Sequence, residues 1–313
     1  MAENSDGRDA ILHGIHVIDG GLASELEYLG AKIDGPLWSA HVLEDDPAKV
    51  AAVHRAYIEA GAQCIATCSY QVSRMGYAEI GLGAERADAA LLHSVELARS
   101  VAAEFPERRV LVAGSLGPYG AALHNGAEYH GNYDIGFSDL VRFHQERIAV
   151  MAGATGAQRP DLLAFETLPS LEEAMAIAEA LHPWPEVSAW YSFTCRDGER
   201  VAHGRRIADC GMLLSMFPQT AAIGVNCTQP SLVLPLIAQL RGASSKPIIV
   251  YPNSGERWDA ERRCWTGTTD PEEFGARAAE WFRAGAQIVG GCCRTRPAHI
   301  RAVAKAAEQI VGN

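Results

Sequence analysis

The feature that most constrains this chain is an alternation. Short, nearly unbroken apolar runs recur between longer segments with helical spacing, from residue 16 to the end. The runs are His16–Ile18, Gln63–Ala66, Val110–Ala113, Asp161–Phe165, Val187–Ser192, Ala221–Val225, Pro247–Tyr251 and Ala286–Val289. A strand with one wet face alternates apolar and polar residues, whereas continuous runs suit strands buried on both faces, as in a parallel sheet. Between them, Pro47–Ala60 and Ala84–Glu104 carry apolar residues at helical spacing. The segments 271–284 and 297–311 open on proline, a first-turn signal. The helix expected over 171–181 follows Ser170, its N-cap, with Glu173 three residues on. Eight strands, each followed by a helix, predict a single α/β domain, a (β/α)8 TIM barrel over residues 11–313, after a frayed tail at 1–10. An open doubly wound sheet is the rival, but no G-x-G-x-x-G loop follows the first strand.

Composition narrows the function. The net charge of −11 gives no basic field for a polyanion, and no Arg-rich arm or basic-aromatic stripe suggests a nucleic-acid partner. No apolar run reaches the ~18 residues a membrane span needs. The polar, acidic start MAENSDGRDA lacks the pattern of a signal peptide. The expectation is a cytoplasmic protein with no membrane partner, whose eight cysteines stay reduced. With no heptad and no long exposed apolar segment, it is expected to be a monomer.

In a barrel of this kind chemistry is built where the strands end. Those ends supply Asp19-Gly20-Gly21, Thr67-Cys68-Ser69-Tyr70, Glu166-Thr167, Asn226-Cys227, Pro252-Asn253-Ser254 and Gly290-Gly291-Cys292-Cys293-Arg294. Cys227 ends strand six and Cys292-Cys293 end strand eight, so the three flank strand seven. Three thiolates with an open fourth place is a pattern of catalytic zinc. Neighbours in a regular strand face opposite ways, so both Cys292 and Cys293 reach one ion only if the backbone leaves strand geometry, which Gly290-Gly291 permits. Spacing alone leaves two other readings open: small buried core residues, or a vicinal disulfide. Cys64, Cys68, Cys195, Cys210 and Cys264 read as bland, and His54, His93 and His144 as packing or surface residues of the outer helices.

The strings GVNC at 224–227 and GGCCRT at 290–295 resemble the zinc signatures of the homocysteine S-methyltransferases. The resemblance runs along nearly the whole chain through IDGGLASELE (18–27), PLWSAHVL (36–43), TCSYQVS (67–73), GSLGPYGA (114–121), EYHGNY (128–133), FETLPS (165–170), SFT (192–194) and YPNSGE (251–256). It is stronger toward the branch using S-methylmethionine or S-adenosylmethionine than toward the betaine-using branch. It implies a barrel, zinc (Zn2+) on Cys227, Cys292 and Cys293, and methyl transfer from a sulfonium donor to homocysteine, giving methionine.

The resemblance also implies that Asp19 and Glu166 receive the amino group of homocysteine. Gly20 and Gly21 offer backbone N–H groups for its carboxylate, and Asn253 and Ser254 are further substrate-binding candidates. Two alternatives stand: Asp19 as a helix N-cap, and Glu166 in a buried ion pair. Segment 117–133, with Tyr119, His124, Tyr129, His130 and Tyr133, is either a donor-covering lid or a packed loop. Segment 257–269 is expected to rim the pocket without chemistry. Arg294 either balances the thiolate charge or has a structural role, capping carbonyls or pairing with a nearby acid. The competing functions are a hydrolytic zinc enzyme, which would favour His and carboxylate ligands, and a closed structural site or thiol sensor.

Overall fold

The computed structural model describes residues 9–33, 39–259, 264–266 and 270–311. Seven strands lie side by side in chain order: Cys64–Ala66, Leu111–Leu116, Leu162–Leu168, Ala189–Phe193, Thr220–Asn226, Ile248–Tyr251 and Ile288–Val289. Every neighbouring pair is parallel. The first place belongs to Val17 and Ile18, so the seven count as strands two to eight. Val17 bridges Val289 and Ile18 bridges Cys64, both in parallel, so this short segment joins the two edges and closes the ring. The fold is the expected (β/α)8 barrel, with its first staves little more than a seam.

Two apolar layers follow from strands buried on both faces. Inside the ring, Ile18, Ala113, Ala164, Trp190, Ala222, Ile249 and Ile288 form one cluster. Outside it, strand residues such as Val112, Phe165, Tyr191 and Val225 meet helix residues such as Val53, Leu91, Ile177 and Trp281. The expected tail divides. Residues 1–8 lie outside the described residues, whereas Asp9–Leu12 is a 3-10 turn. Leu12 and Ile15 join the inner cluster.

Helix starts follow the sequence. The Ser170 Oγ accepts from the Glu173 N–H at 3.1 Å and caps Leu171–Leu181. Glu173 does not complete the reciprocal pair; its side chain turns inward to another partner, described below. Asp46 and Asp270 cap the helices Pro47–Glu59 and Pro271–Ala284 in the same way. Beyond strand seven, Arg257–Asp259 and Cys264–Thr266 pair antiparallel with Trp258 opposite Trp265, and the rest of the expected rim segment lies outside the described residues. Among the described residues no helix is long and apolar enough to cross a membrane.

Candidate metal and substrate site

One end of the ring opens into a cavity of about 930 Å³. It is the end where the strands finish. Of the nine residues singled out from sequence, Asp19, Gly20, Gly21, Glu166, Asn253, Cys227, Cys292 and Cys293 line it, and Ser254 does not.

The three sulfurs converge. Cys227 Sγ is 2.7 Å from Cys292 Sγ and 3.6 Å from Cys293 Sγ. All three ligand atoms lie within 4.8 Å of one another, the only such group of metal-binding side chains among the described residues. The backbone explains how neighbours in sequence share a focus. Strand eight stops at Val289, and Cys292 and Cys293 lie beyond it. Cys292 N–H donates to the Pro252 carbonyl, and Cys293 N–H to Asn253 Oδ1 at 3.2 Å. Ser254 N–H donates to the Cys293 carbonyl.

The glycines before the pair act differently from the expectation that they supply backbone freedom. Neither has positive φ. A side chain on Gly290 would strike Ile18 and the Asp19 carbonyl, and one on Gly291 would strike Thr295. Gly290 leaves room for the seam of the barrel, and Gly291 leaves room for Thr295.

The unusual backbone sits on residues that are not glycine. Thr167, Cys227 and Arg294 have φ of 57°, 47° and 66°. Cys227 and Arg294 follow strands six and eight, and Thr167 sits near the end of strand four where its register with the next strand shifts, so left-handed residues bend the chain at three places around the cavity. Each is costly by roughly 1–3 kcal/mol, and for a β-branched threonine especially, so the surroundings must over-determine it. Asn226 does so for Thr167. Its Oδ1 accepts from the Thr167 N–H at 2.7 Å, and its Nδ2 donates to Thr167 Oγ1 at 2.8 Å. The same Nδ2 lies 3.9 Å from Cys292 Sγ. One buried amide therefore ties the residue after Glu166 to a metal-site sulfur.

Asp19 is not a helix cap. The N-cap of Leu22–Tyr28 is Gly21, without a side-chain bond. Instead Asp19 Oδ2 accepts from the Ala66 N–H at 2.8 Å, and burial holds its carboxyl well above the usual range. Glu166 has no ion pair among the described residues. Its Oε1 is shut off from solvent with no hydrogen-bond partner, and burial pushes its pKa up to about 7. A carboxylate left so in a cavity wall is an acceptor waiting for a donor group.

The amide of Gly21 is already committed, donating to Thr295 Oγ1 at 3.0 Å. Arg294 is also committed, and to acids: Nε donates to Glu256 at 2.8 Å and Nη1 to Glu27 at 3.2 Å. Of the two roles left open for it, pairing is what the geometry gives.

Segment 117–133 is folded back on itself. Tyr119 stacks edge-on against Tyr133 and Phe143. Only Glu128 and Tyr129 of this segment line the cavity. Behind it lies a buried network. Glu173 Oε1 accepts from the Tyr119 N–H at 2.5 Å and lies 3.0 Å from His144 Nε2, while Arg147 Nη2 reaches His144 Nδ1 and the Gly117 carbonyl. Burial pushes His144 down to about 4, so the ring is neutral, with Nε2–H donating to Glu173. His54 is buried too, as packing. Cys64, Cys68, Cys195 and Cys210 are buried, form no disulfide and lie outside the three-sulfur group.

Sequence reasoning gave no role to Asn226, Thr167, Tyr70 or Glu128. Asn226 stood beside a cysteine in a motif, which was a signal. Nothing in a sequence announces a threonine with positive φ.

Comparison with known proteins agrees with this geometry. Residues 16–307 match the family described as Homocysteine S-methyltransferase. The Homocysteine S-methyltransferase YbgG of Bacillus subtilis (strain 168) is 42% identical over 302 residues, covering 94% of this chain and 95% of that protein. The Selenocysteine Se-methyltransferase of Brassica oleracea var. italica is 40% identical over 310 residues, covering 93% and 88%. The crystal structure of the homocysteine methyltransferase MmuM from Escherichia coli, metallated form, superposes with a TM-score of 0.84 at 38% identity, covering 95% of this chain and 98% of that one. With its barrel, its three converging cysteines and these relatives, the chain belongs to the homocysteine S-methyltransferase family and is a homocysteine methyltransferase.

Proposed function

We propose that the enzyme is zinc-dependent, with Cys227, Cys292 and Cys293 holding the ion, and that its methyl donor is a sulfonium. S-Methylmethionine is the first candidate and S-adenosylmethionine the second. The observation that carries this reading is the convergence of three sulfurs on the cavity that Asp19 and Glu166 also line. An all-sulfur set suits zinc. Sulfurs about 2.3 Å from a tetrahedral ion stand roughly 3.8 Å apart. That is close to the 3.6 Å between Cys227 and Cys293, while the 2.7 Å contact to Cys292 has to widen. When bound, zinc supplies a thiolate at neutral pH, where a free thiol of pKa about 8.5 is mostly protonated.

The chain's own groups do the rest. Asp19 and Glu166 receive the ammonium of homocysteine and so orient its sulfur. Asn226 and Asn253 hold the ligand loops in place. The thiol proton is released to solvent before transfer. A bond then forms from the homocysteine sulfur to the donor methyl, while the methyl–sulfonium bond breaks and its electron pair stays on the departing sulfur. That product is a neutral thioether, so no acid has to protonate the leaving group. Among the described residues no histidine lines the cavity, in keeping with this chemistry.

The test is methionine formation from homocysteine with S-methylmethionine, S-adenosylmethionine and betaine as parallel donors, before and after chelation, with bound metal measured. Product from a sulfonium that disappears on chelation and returns with zinc is the expected result. Product from betaine alone overturns the donor assignment; product undiminished in metal-free enzyme overturns the zinc. Selenocysteine is the second acceptor to assay, because one relative is named for that reaction.

A further inference from the structure

Beyond Asp19 and Glu166 two more acids line the cavity: Glu27, which is paired with Arg294, and Glu128. Glu128 lies in the 3-10 turn Ala127–Tyr129, away from the strand ends that carry Asp19 and Glu166. Its Oε2 is excluded from solvent and has no hydrogen-bond partner, and no Lys or Arg pairs with it among the described residues. Arg294, which lines the same cavity, is taken by Glu27 and Glu256.

The turn is a rigid mount. Gly126 supplies a φ of 80° at its start, and Asn125 Oδ1 accepts from the Ala127 N–H at 3.0 Å. A side chain on Gly120 would strike the Glu128 amide nitrogen. Tyr70 and Tyr129 line the same cavity. Burial and then repulsion from Glu128 push the Tyr70 phenol up.

A carboxylate with a dry, unpartnered oxygen is costly unless a cation arrives. On the reading that the donor is a sulfonium, two positive charges are on offer. The sulfonium charge is lost during transfer, so an acid beside it would stabilise the ground state more than the transition state and slow the reaction. The α-ammonium of an amino-acid donor keeps its charge throughout, so an acid beside it helps binding without penalising chemistry. We propose that Glu128, in the cavity that Tyr70 and Tyr129 also line, receives the α-ammonium of the methyl donor and so selects amino-acid sulfonium donors over those lacking an amino group. Charge is then apportioned by acid: Asp19 and Glu166 for the acceptor's ammonium, Glu128 for the donor's. This rests on the proposed donor class.

The experiment compares Glu128→Gln with the parent enzyme, both zinc-loaded, on two donors: S-methylmethionine, and a dimethylsulfonium carboxylate of similar length without the amino group. Donor binding is also measured by calorimetry in the absence of homocysteine. The expected result is a rise of tenfold or more in KM and Kd for S-methylmethionine with kcat within about twofold, no change for the amino-free donor, and an unchanged KM for homocysteine. An equal effect on both donors, a change confined to kcat, or a shift in the homocysteine KM overturns the assignment. If the parent enzyme uses neither sulfonium, the donor class itself fails and Glu128 falls with it. If the parent uses S-methylmethionine and the variant matches it, only the role of Glu128 fails.

Discussion

The cavity has two walls built on different principles. The wall of strands six to eight is held by backbone. Cys292 and Cys293 are placed by amides bonded to Pro252 and Asn253, and the glycines ahead of them leave room for the seam and for Thr295. The wall after strand three is held by side-chain charge, with Glu173, His144 and Arg147 buried behind segment 117–133 and gripping it at Gly117 and Tyr119. Backbone bonds to a closed barrel fix the three cysteines, whereas a charge network holds the opposite surface. On the proposed reading, thiol activation sits on the first wall and the choice of donor faces the second.

The comparison is broken most severely from the metal side. Cys292→Ser should abolish stoichiometric zinc binding and lower methionine formation by at least about a thousandfold, because a hydroxyl replaces a thiolate in a three-sulfur set. Elemental analysis and turnover check it together. Retained zinc with normal turnover would remove Cys292 from the site.

Next comes the opposite wall. Glu173→Gln leaves the buried Arg147 without its counter-charge and should cost about 3–5 kcal/mol of stability in denaturant unfolding. Zinc content of the folded enzyme should not change. A fall in metal affinity would show that the two walls are not independent.

The smallest effect concerns Glu166, and its sign depends on pH. Its pKa of about 7 in the fold exceeds the 4.5 of an ordinary glutamate, so the folded state holds its proton longer than the unfolded chain. Stability is therefore lost as pH rises from 4.5 through 7 and levels off above. Glu166→Gln should stabilise the substrate-free enzyme by about 2–3 kcal/mol at pH 8 and by much less at pH 5. It should also weaken homocysteine binding, which in the parent strengthens as pH climbs through 7. Melting curves and titrations at the two pH values test both halves; a variant equally stabilised at both would refute the buried-charge account.

The two walls were unequally legible in the sequence. The strand ends announced themselves, because a strand buried on both faces must be apolar until it reaches the mouth, and the first polar residue after it marks the site. Asp19, Glu166, Cys227 and Cys292-Cys293 emerged that way. What could not be read was any feature made by distant residues meeting. Glu173 looked like half of a capping pair and instead faces the core under Tyr119. His144 looked like an outer packing residue and is instead a hydrogen-bonded link between two charges. Of segment 117–133, left open between a donor-covering lid and a packed loop, only Glu128 and Tyr129 line the cavity, because Tyr119 stacks against Tyr133 and Phe143.

The seam at Val17 and Ile18 has a consequence for the order of biosynthesis. The first stave pairs with the last, Gly21 bonds to Thr295, and Tyr57 donates to the Thr295 carbonyl at 3.1 Å. Asp19 therefore waits beside an empty place while the other staves are translated. Cys292 and Cys293 are translated well after Cys227, so the three sulfurs converge only once strand eight has been made and has paired with the seam. On the proposed ligand set, the site would then be completed only when the barrel closes.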